Sequence, residues 1–163
     1  MFIKKHPSQN ELNELFEYRD GMLFRKKSVQ AKHGKIGDRV GFQHSIKYRY
    51  VCINRVPYLE HRIIWIMLNG EIPSDMEIDH IEGRANNIEN LRIASKSQNC
   101  HNRTKYKCNK TGFKGVGKRG NKYHANIRVN GLLKHLGDFD TPEQAYEEYK
   151  KAAMIYHNEF ANF

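Results

Sequence analysis

The chain has 163 residues, enough for one ordinary domain or two small ones, and its 28 Lys and Arg against 18 Asp and Glu give a net charge of +10. Such a chain seeks polyanions, nucleic acid before acidic membrane, and no apolar run approaches the roughly 20 residues that a spanning helix needs. The start "MFIKKHPSQNELNEL" lacks a signal-peptide core, so a soluble, cytoplasmic protein is expected.

In "SQNELNELFEY", Leu12, Leu15 and Phe16 recur at helical spacing and predict an amphipathic turn or two. "RDGMLFRKK" reads as a turn into a strand with Asp20-Gly21 at the tip. "KYRYVCINRVPYLEHR" alternates Tyr48, Tyr50 and Cys52 on one face with Val51 and Ile53 on the other, around a hairpin at Asn54-Arg55. A small twisted antiparallel sheet is therefore expected. "EHRIIWIMLNG" is nearly continuous in apolar residues and stopped by Asn69-Gly70, which predicts a buried helix with Trp65 in the core.

"MEIDHI" has the pattern of a short strand, and "GRANNIEN" has loop chemistry, with Asn86 and Asn87 as turn formers. Ser95 is a good N-cap for "KSQNCHNR" and places Asn99 about one turn into a helix. Residues 104–111 read as a basic linker. "FKGVGKRG", "KYHANIRVN" and "LLKHLGDF" are three strand-length segments separated by Gly120-Asn121 and Asn130-Gly131. "TPEQAYEEYKKAAMIYHNEF" is a helix with Thr141 as N-cap, Pro142 next and Gln144 at the capping-box position. Ala145, Tyr149, Ala152, Ala153 and Tyr156 form its apolar stripe. The fold class is α+β, with an N-terminal portion over residues 1–103 and a three-stranded sheet on one helix over residues 112–163.

From Asn90 to Gly137 the chain contains no Asp or Glu, yet carries a long series of Lys and Arg. Balanced surfaces intersperse both signs, so this interval reads as a nucleic-acid surface. Period-two alternation groups Lys118, Lys122, His124, Asn126 and Arg128 on one sheet face, whose donors suit base edges in a major groove. Cys52, Cys100 and Cys108 form no even-numbered framework and no C-x-x-C pair, which argues against disulfides and ribbon-type zinc. "CHNRTKYKC" offers Cys100, His101 and Cys108 to zinc but no fourth ligand.

The stretch "EIDHIEGRANNIENLR" carries the chemistry. Phosphodiester hydrolysis needs a base for water and a cation for the phosphate charge. Asp79 and an asparagine carbonyl are hard oxygen ligands suited to magnesium, and His80 has the free pKa of a base. With Asn90 and Asn99 on a loop and a following helix, residues 58–103 resemble the HNH nuclease motif, the ββα-metal finger, including the flanking "EHR", the "DHI-G" turn and the "NLR" step. The resemblance implies Asp79 and Asn99 as ligands of one divalent metal, magnesium or manganese, and His80 as general base. It implies that Asn90 holds the loop and orients His80 by a hydrogen bond, and that His61 and Arg62 give support. Asn99 stands where many members have histidine, an H-N-N variant found in homing nucleases.

The tail "FKGVGKRGNKYHANIRVNGLLKHLGDFDTPEQAYEEYKKAA" with "FANF" resembles the sheet-type DNA-binding domain of plant ethylene-response (Apetala-two) factors. That resemblance implies contacts from Lys114, Lys118, Arg119, Lys122, Arg128 and Lys134, beside Arg103 and Lys105 of the basic interval. Gly117 and His135 replace an Arg and a Trp of that family. The two resemblances together imply a phage or bacterial HNH endonuclease of the homing class acting on double-stranded DNA, in a bacterium or a phage-infected cell. The alternatives are a DNA-binding regulator whose nuclease motif has decayed, and a zinc-stabilised RNA-binding module, which would require exposed stacking aromatics.

Overall fold

A computed structural model describes residues 6–28, 34–43, 48–102 and 109–163. The chain divides into two compact units, Met1–Ala94 and Ser95–Phe163. No helix of the described residues is long and apolar enough to cross a membrane.

The first unit starts with α1 (Gln9–Leu15), capped by a reciprocal pair in which the Ser8 hydroxyl accepts from the Glu11 amide and the Glu11 carboxylate accepts from the Ser8 amide. Leu12 is fully buried, and the chain turns at Phe16 into the hairpin of β1 (Phe16–Arg19) and β2 (Met22–Arg25). Asp20 and Gly21 close it with φ of 44° and 76°, the two left-handed positions of a type I′ turn. β3 (Phe42–Gln43), β4 (Arg49–Ile53) and β5 (Val56–Leu59) form a three-stranded antiparallel sheet in the order β3-β4-β5. Its β4–β5 turn is at Asn54-Arg55, as the alternation predicts, and Val51 and Ile53 face the core while Cys52 is exposed.

α2 (Glu60–Asn69) buries Ile63, Ile64, Ile66 and Met67 among Leu12, Leu23, Val51 and Ile78, and Gly70 at φ 86° ends it. Trp65 packs on this core only partly buried. β6 (Met76–His80) pairs with β7 (Leu91–Ser95), and between them runs a polar loop that ends in a single 3-10 turn at Ile88–Asn90.

The second unit opens with α3 (Lys96–His101), capped by Ser95 with Gln98 completing the box. Its C-terminal end is fastened within this unit. The His101 ring stacks on His157 at 3.7 Å between centroids, Lys114 Nζ donates to the carbonyls of His101 and Asn162, and Asn162 Nδ2 donates to the Asn102 carbonyl. The described part of the expected linker is an ordered turn: Asn109 Oδ1 accepts from the amides of Thr111 and Gly112 and from the Thr111 hydroxyl.

β8 (Val116–Arg119), β9 (Lys122–Val129) and β10 (Leu132–Phe139) form an antiparallel sheet in the order β10-β9-β8, against which α4 (Pro142–His157) packs. Ala145, Tyr149, Ala152 and Ala153 are buried as the stripe predicts, but Tyr156 is exposed and His157, four residues beyond Ala153, is the inward one. At Gly115, with φ 75°, a Cβ would overlap the Tyr149 ring, so only glycine lets β8 reach α4.

The N-terminal hairpin has a task that its sequence does not disclose: it braces the loop between β6 and β7. Tyr18 Oη accepts from the Ile88 amide at 3.0 Å, and a Cβ on Gly21 would lie 2.9 Å from the Asn87 nitrogen. Tyr18→Phe leaves that amide without its acceptor, at about 1 kcal/mol. The expected outcome is exchange of the Ile88 amide roughly fivefold faster, read by hydrogen exchange, with the α4 amides unchanged.

Candidate active site

His80 closes β6 and lines a cavity of about 200 Å³ with Gln43, Tyr48, Arg49, His61, Arg84 and Asn86. Among the described residues this lining holds two guanidinium groups and no carboxylate, a composition suited to an anionic group. His61 is buried from the first turn of α2, and its ring meets His80 edge-on at 5.0 Å. Burial, then His80 and Arg62, push its pKa down to about 3, so His61 is a neutral ring against His80. Arg62 points elsewhere, with Nε donating to His6 at 3.2 Å, and its pKa is lowered by burial.

Asp79, adjacent to His80 in β6, is buried. Its Oδ2 accepts from Arg92 Nε at 3.1 Å and Nη2 at 3.0 Å. Arg92 lies on β7, so the ion pair also ties the two strands of the hairpin. The "NLR" step thus has a physical use: Leu91 enters the core and Arg92 neutralises the buried acid.

Asn90 is the clamp of the loop. Its Nδ2 donates to the carbonyls of Glu82 and Ala85 at 2.7 and 2.8 Å, and its Oδ1 accepts from the Glu82 amide at 2.9 Å. Its own carbonyl accepts from the Ile81 amide at 2.8 Å, which fixes the backbone just past His80. The expected hydrogen bond from Asn90 to His80 is not formed: both Nδ2 protons and the Oδ1 contact of Asn90 go to the loop backbone. Asn86, expected to be a mere turn former, takes that place: its Oδ1 lies 3.0 Å from His80 Nε2, while its Nδ2 donates to Glu60 Oε2 at 3.1 Å.

Glu60 was not singled out in the sequence. It is the first residue of α2, fully buried, and its Oε2 also accepts from Arg49 Nε at 3.2 Å. Burial raises its pKa, against the lowering effect of Arg49 and Arg39. Arg49 in turn donates to the Gly41 carbonyl at 2.7 Å. The signal that would have found Glu60 is a lone acid heading an otherwise apolar helix.

Asn99 stands on α3 in the second unit, with Asp79 and His80 in the first. Among the described residues no three His, Cys, Asp or Glu side chains gather as a metal-binding group. Of the possible zinc ligands, Cys100 is exposed, His101 stacks on His157, and Cys108 lies outside the described residues.

The basic sheet face differs in membership from the alternation. The two-residue turn at Gly120-Asn121 pairs Arg119 with Lys122 and Lys118 with Tyr123, and directly opposed residues share a face. Lys118 therefore lies on the α4 side, its Nζ 5.6 Å from the Tyr123 ring centre, and Arg119 takes its place outside. Lys134 pairs with Ile127 and bonds Tyr156 of α4, so it too lies on the helix side. Lys114 is half-buried in its two carbonyl bonds, which lowers its pKa to about 8 by burial. The outer face holds Arg119, Lys122, His124, Asn126, His135 and Arg128, and a bulge after His135 adds Asp138 opposite His124. A side chain at Gly117 would overlap the His124 ring. Arg103 and Lys105 lie outside the described residues.

The order β6, loop, β7, α3 is that of a ββα finger. The profile of the HNH endonuclease family matches residues 58–101. A protein of Acanthamoeba polyphaga mimivirus named as an uncharacterized HNH endonuclease is 36% identical over 104 residues, 62% of this chain and 54% of that protein. The matched part thus spans about half the length of that relative. "Protein 3.8" of Escherichia phage T7 is 30% identical over 107 residues, 63% of this chain and 88% of that protein. No solved structure matches. The chain belongs to one family with Protein 3.8, and its residues 58–101 are an HNH endonuclease domain.

Proposed function

We propose that the chain is a metal-dependent DNA endonuclease of the homing type, hydrolysing phosphodiester bonds of double-stranded DNA while the second unit holds the duplex. The observation that carries this reading is the cavity beside His80, whose described lining joins a base to Arg49 and Arg84 without a carboxylate. His80 takes a proton from water as the water oxygen bonds to phosphorus. The bond from phosphorus to the 3′ oxygen breaks, and that oxygen gains a proton from solvent, leaving 5′-phosphate and 3′-hydroxyl ends. One such site cuts one strand, so a single copy nicks.

Asp79 and Asn99 are the proposed ligands of one divalent cation, magnesium first and manganese second, on the strength of their resemblance to the family pattern. Their chemistry fits: both offer hard oxygens, and a cation with few protein ligands keeps waters and takes phosphate oxygens. A carboxylate presents about four lone-pair sites, so the Arg92 guanidinium and a cation can share Asp79. When bound, the cation neutralises charge on the phosphate and the leaving oxygen. For the second unit, the outer face of β8, β9 and β10 is proposed as the duplex-reading surface, in the manner of an ethylene-response-factor sheet, with Arg119, Lys122 and Arg128 on phosphates or base edges.

Plasmid cleavage tests the reaction. With magnesium the wild-type chain should convert supercoiled DNA to nicked circles, and EDTA or His80→Ala should slow this by about 100-fold or more. Supercoiled DNA that survives equally in every case while binding persists sinks the enzyme reading in favour of a DNA-binding regulator. The sheet assignment has its own measure in salt dependence of binding. Lys122→Ala and Arg128→Ala should each flatten the slope of log K against log salt by about 0.9 per lost phosphate contact. Lys134→Ala, on the helix side, should leave it unchanged, and the opposite ranking would overturn the choice of face.

A further inference from the structure

The chemistry at His80 depends on which ring nitrogen carries the proton, and a hydrogen-bonded chain that starts at α2 decides it. Glu60 Oε2 accepts from both Arg49 Nε and Asn86 Nδ2, as an ionised carboxylate oxygen does. The Asn86 amide is thereby turned with its nitrogen toward Glu60 and its oxygen toward His80, at 3.0 Å from Nε2. An amide oxygen has no proton to give, so Nε2 must be the donor. A neutral imidazole with its proton on Nε2 carries its lone pair on Nδ1.

We propose that Glu60 is a positioning residue of the nuclease: through Asn86 it holds His80 in the Nε2–H tautomer, so that Nδ1 is the atom that takes the proton from water. This rests on the nuclease reading above. The carboxylate is well placed for such a task. It is fully buried, its Oε1 has no hydrogen-bond partner among the described residues, and a Cβ on Gly41 would stand 2.9 Å from that oxygen, so the group is closely confined. Asn86 is confined from the other side, because the Asn86–Asn87 backbone packs on Gly21 of the N-terminal hairpin. A rigid acceptor, an oriented amide and a ring in sequence form a carboxylate–amide–histidine relay. It has the logic of a triad's orienting acid, with an asparagine as the intermediate.

The test reads the ring directly. Full-length chain with nitrogen-15 histidine is examined by NMR at a pH where the rings are neutral, with His80 assigned by its loss in His80→Ala. The wild type should show His80 as the Nε2–H form. Asn86→Ala should give a mixture of tautomers, as should Glu60→Leu, while Glu60→Gln, which retains an acceptor oxygen, should restore the single form. In magnesium-dependent plasmid cleavage, Asn86→Ala should lower kcat by about tenfold or more with KM for DNA little changed, the loss expected when an orienting partner is removed. Should Glu60→Leu fail to fold, Asn86→Ala and Glu60→Gln still decide the matter. A wild-type His80 protonated on Nδ1, or a single Nε2–H form that survives Asn86→Ala in a folded chain, overturns the proposal. A wild type that has the Nε2–H ring and cuts no DNA under any divalent cation sinks the nuclease reading instead, and leaves the tautomer assignment standing.

Discussion

A carboxylate with no exposed surface sits in the first turn of α2, and withdrawing such a charge from water costs several kcal/mol unless protein groups replace the solvent. At Glu60 the replacements come from distant parts of the chain: Arg49 from β4 and Asn86 from the loop after β6. Because Arg49 also holds the Gly41 carbonyl, satisfying this single acid draws the β3–β4 region, the helix and the loop to one point. The helix itself offers no side-chain cap, and an acid at its positive end is also favoured by the aligned peptide dipoles. The arrangement of the cavity beside His80 follows from the need to keep this group paired.

The same principle operates once more at Asp79. Its pairing with Arg92 makes the β6–β7 hairpin electrostatically closed as well as hydrogen-bonded, and leaves a buried acid whose charge is already balanced within the protein. Two buried acids thus flank His80 in the sequence of contacts, each with its own arginine, while the described lining of the cavity holds two guanidinium groups and no carboxylate. Negative charge is kept behind the wall and positive charge on it, which is the polarity an anionic substrate requires.

Much of this was legible because local chemistry and tertiary structure agree. Ser8, Ser95 and Thr141 each cap a helix with the partner three residues on, and Asp20-Gly21 and Asn54 turn where their tolerance of left-handed backbone says they should. The candidate base and its neighbour were legible as a motif, and the family profile covers nearly the same residues as the resemblance. What failed was anything set by a partner far along the chain. Two asparagines of one loop have identical chemistry, and only the buried Glu60, 26 residues away from Asn86, decides which of them reaches the histidine. The sheet face failed for a different reason: alternation holds within a strand, but a two-residue turn reverses its parity across the hairpin, which put Lys118 on the wrong side, and the contact that the resemblance implied for Lys134 falls on the helix side as well.

The fastening of α3 by Lys114, His157 and Asn162 bears on how such a protein can be recombined. The family profile ends at residue 101, yet the spatial joint lies between Ala94 and Ser95. A chimera that exchanged the tail at the end of the profile would strand α3 without the three residues that hold its last turn. A crossover at the end of β7 would move the helix together with its anchors. The piece that moves intact is therefore the tail plus the helix that bears Asn99, so that a grafted sheet brings its own copy of that residue.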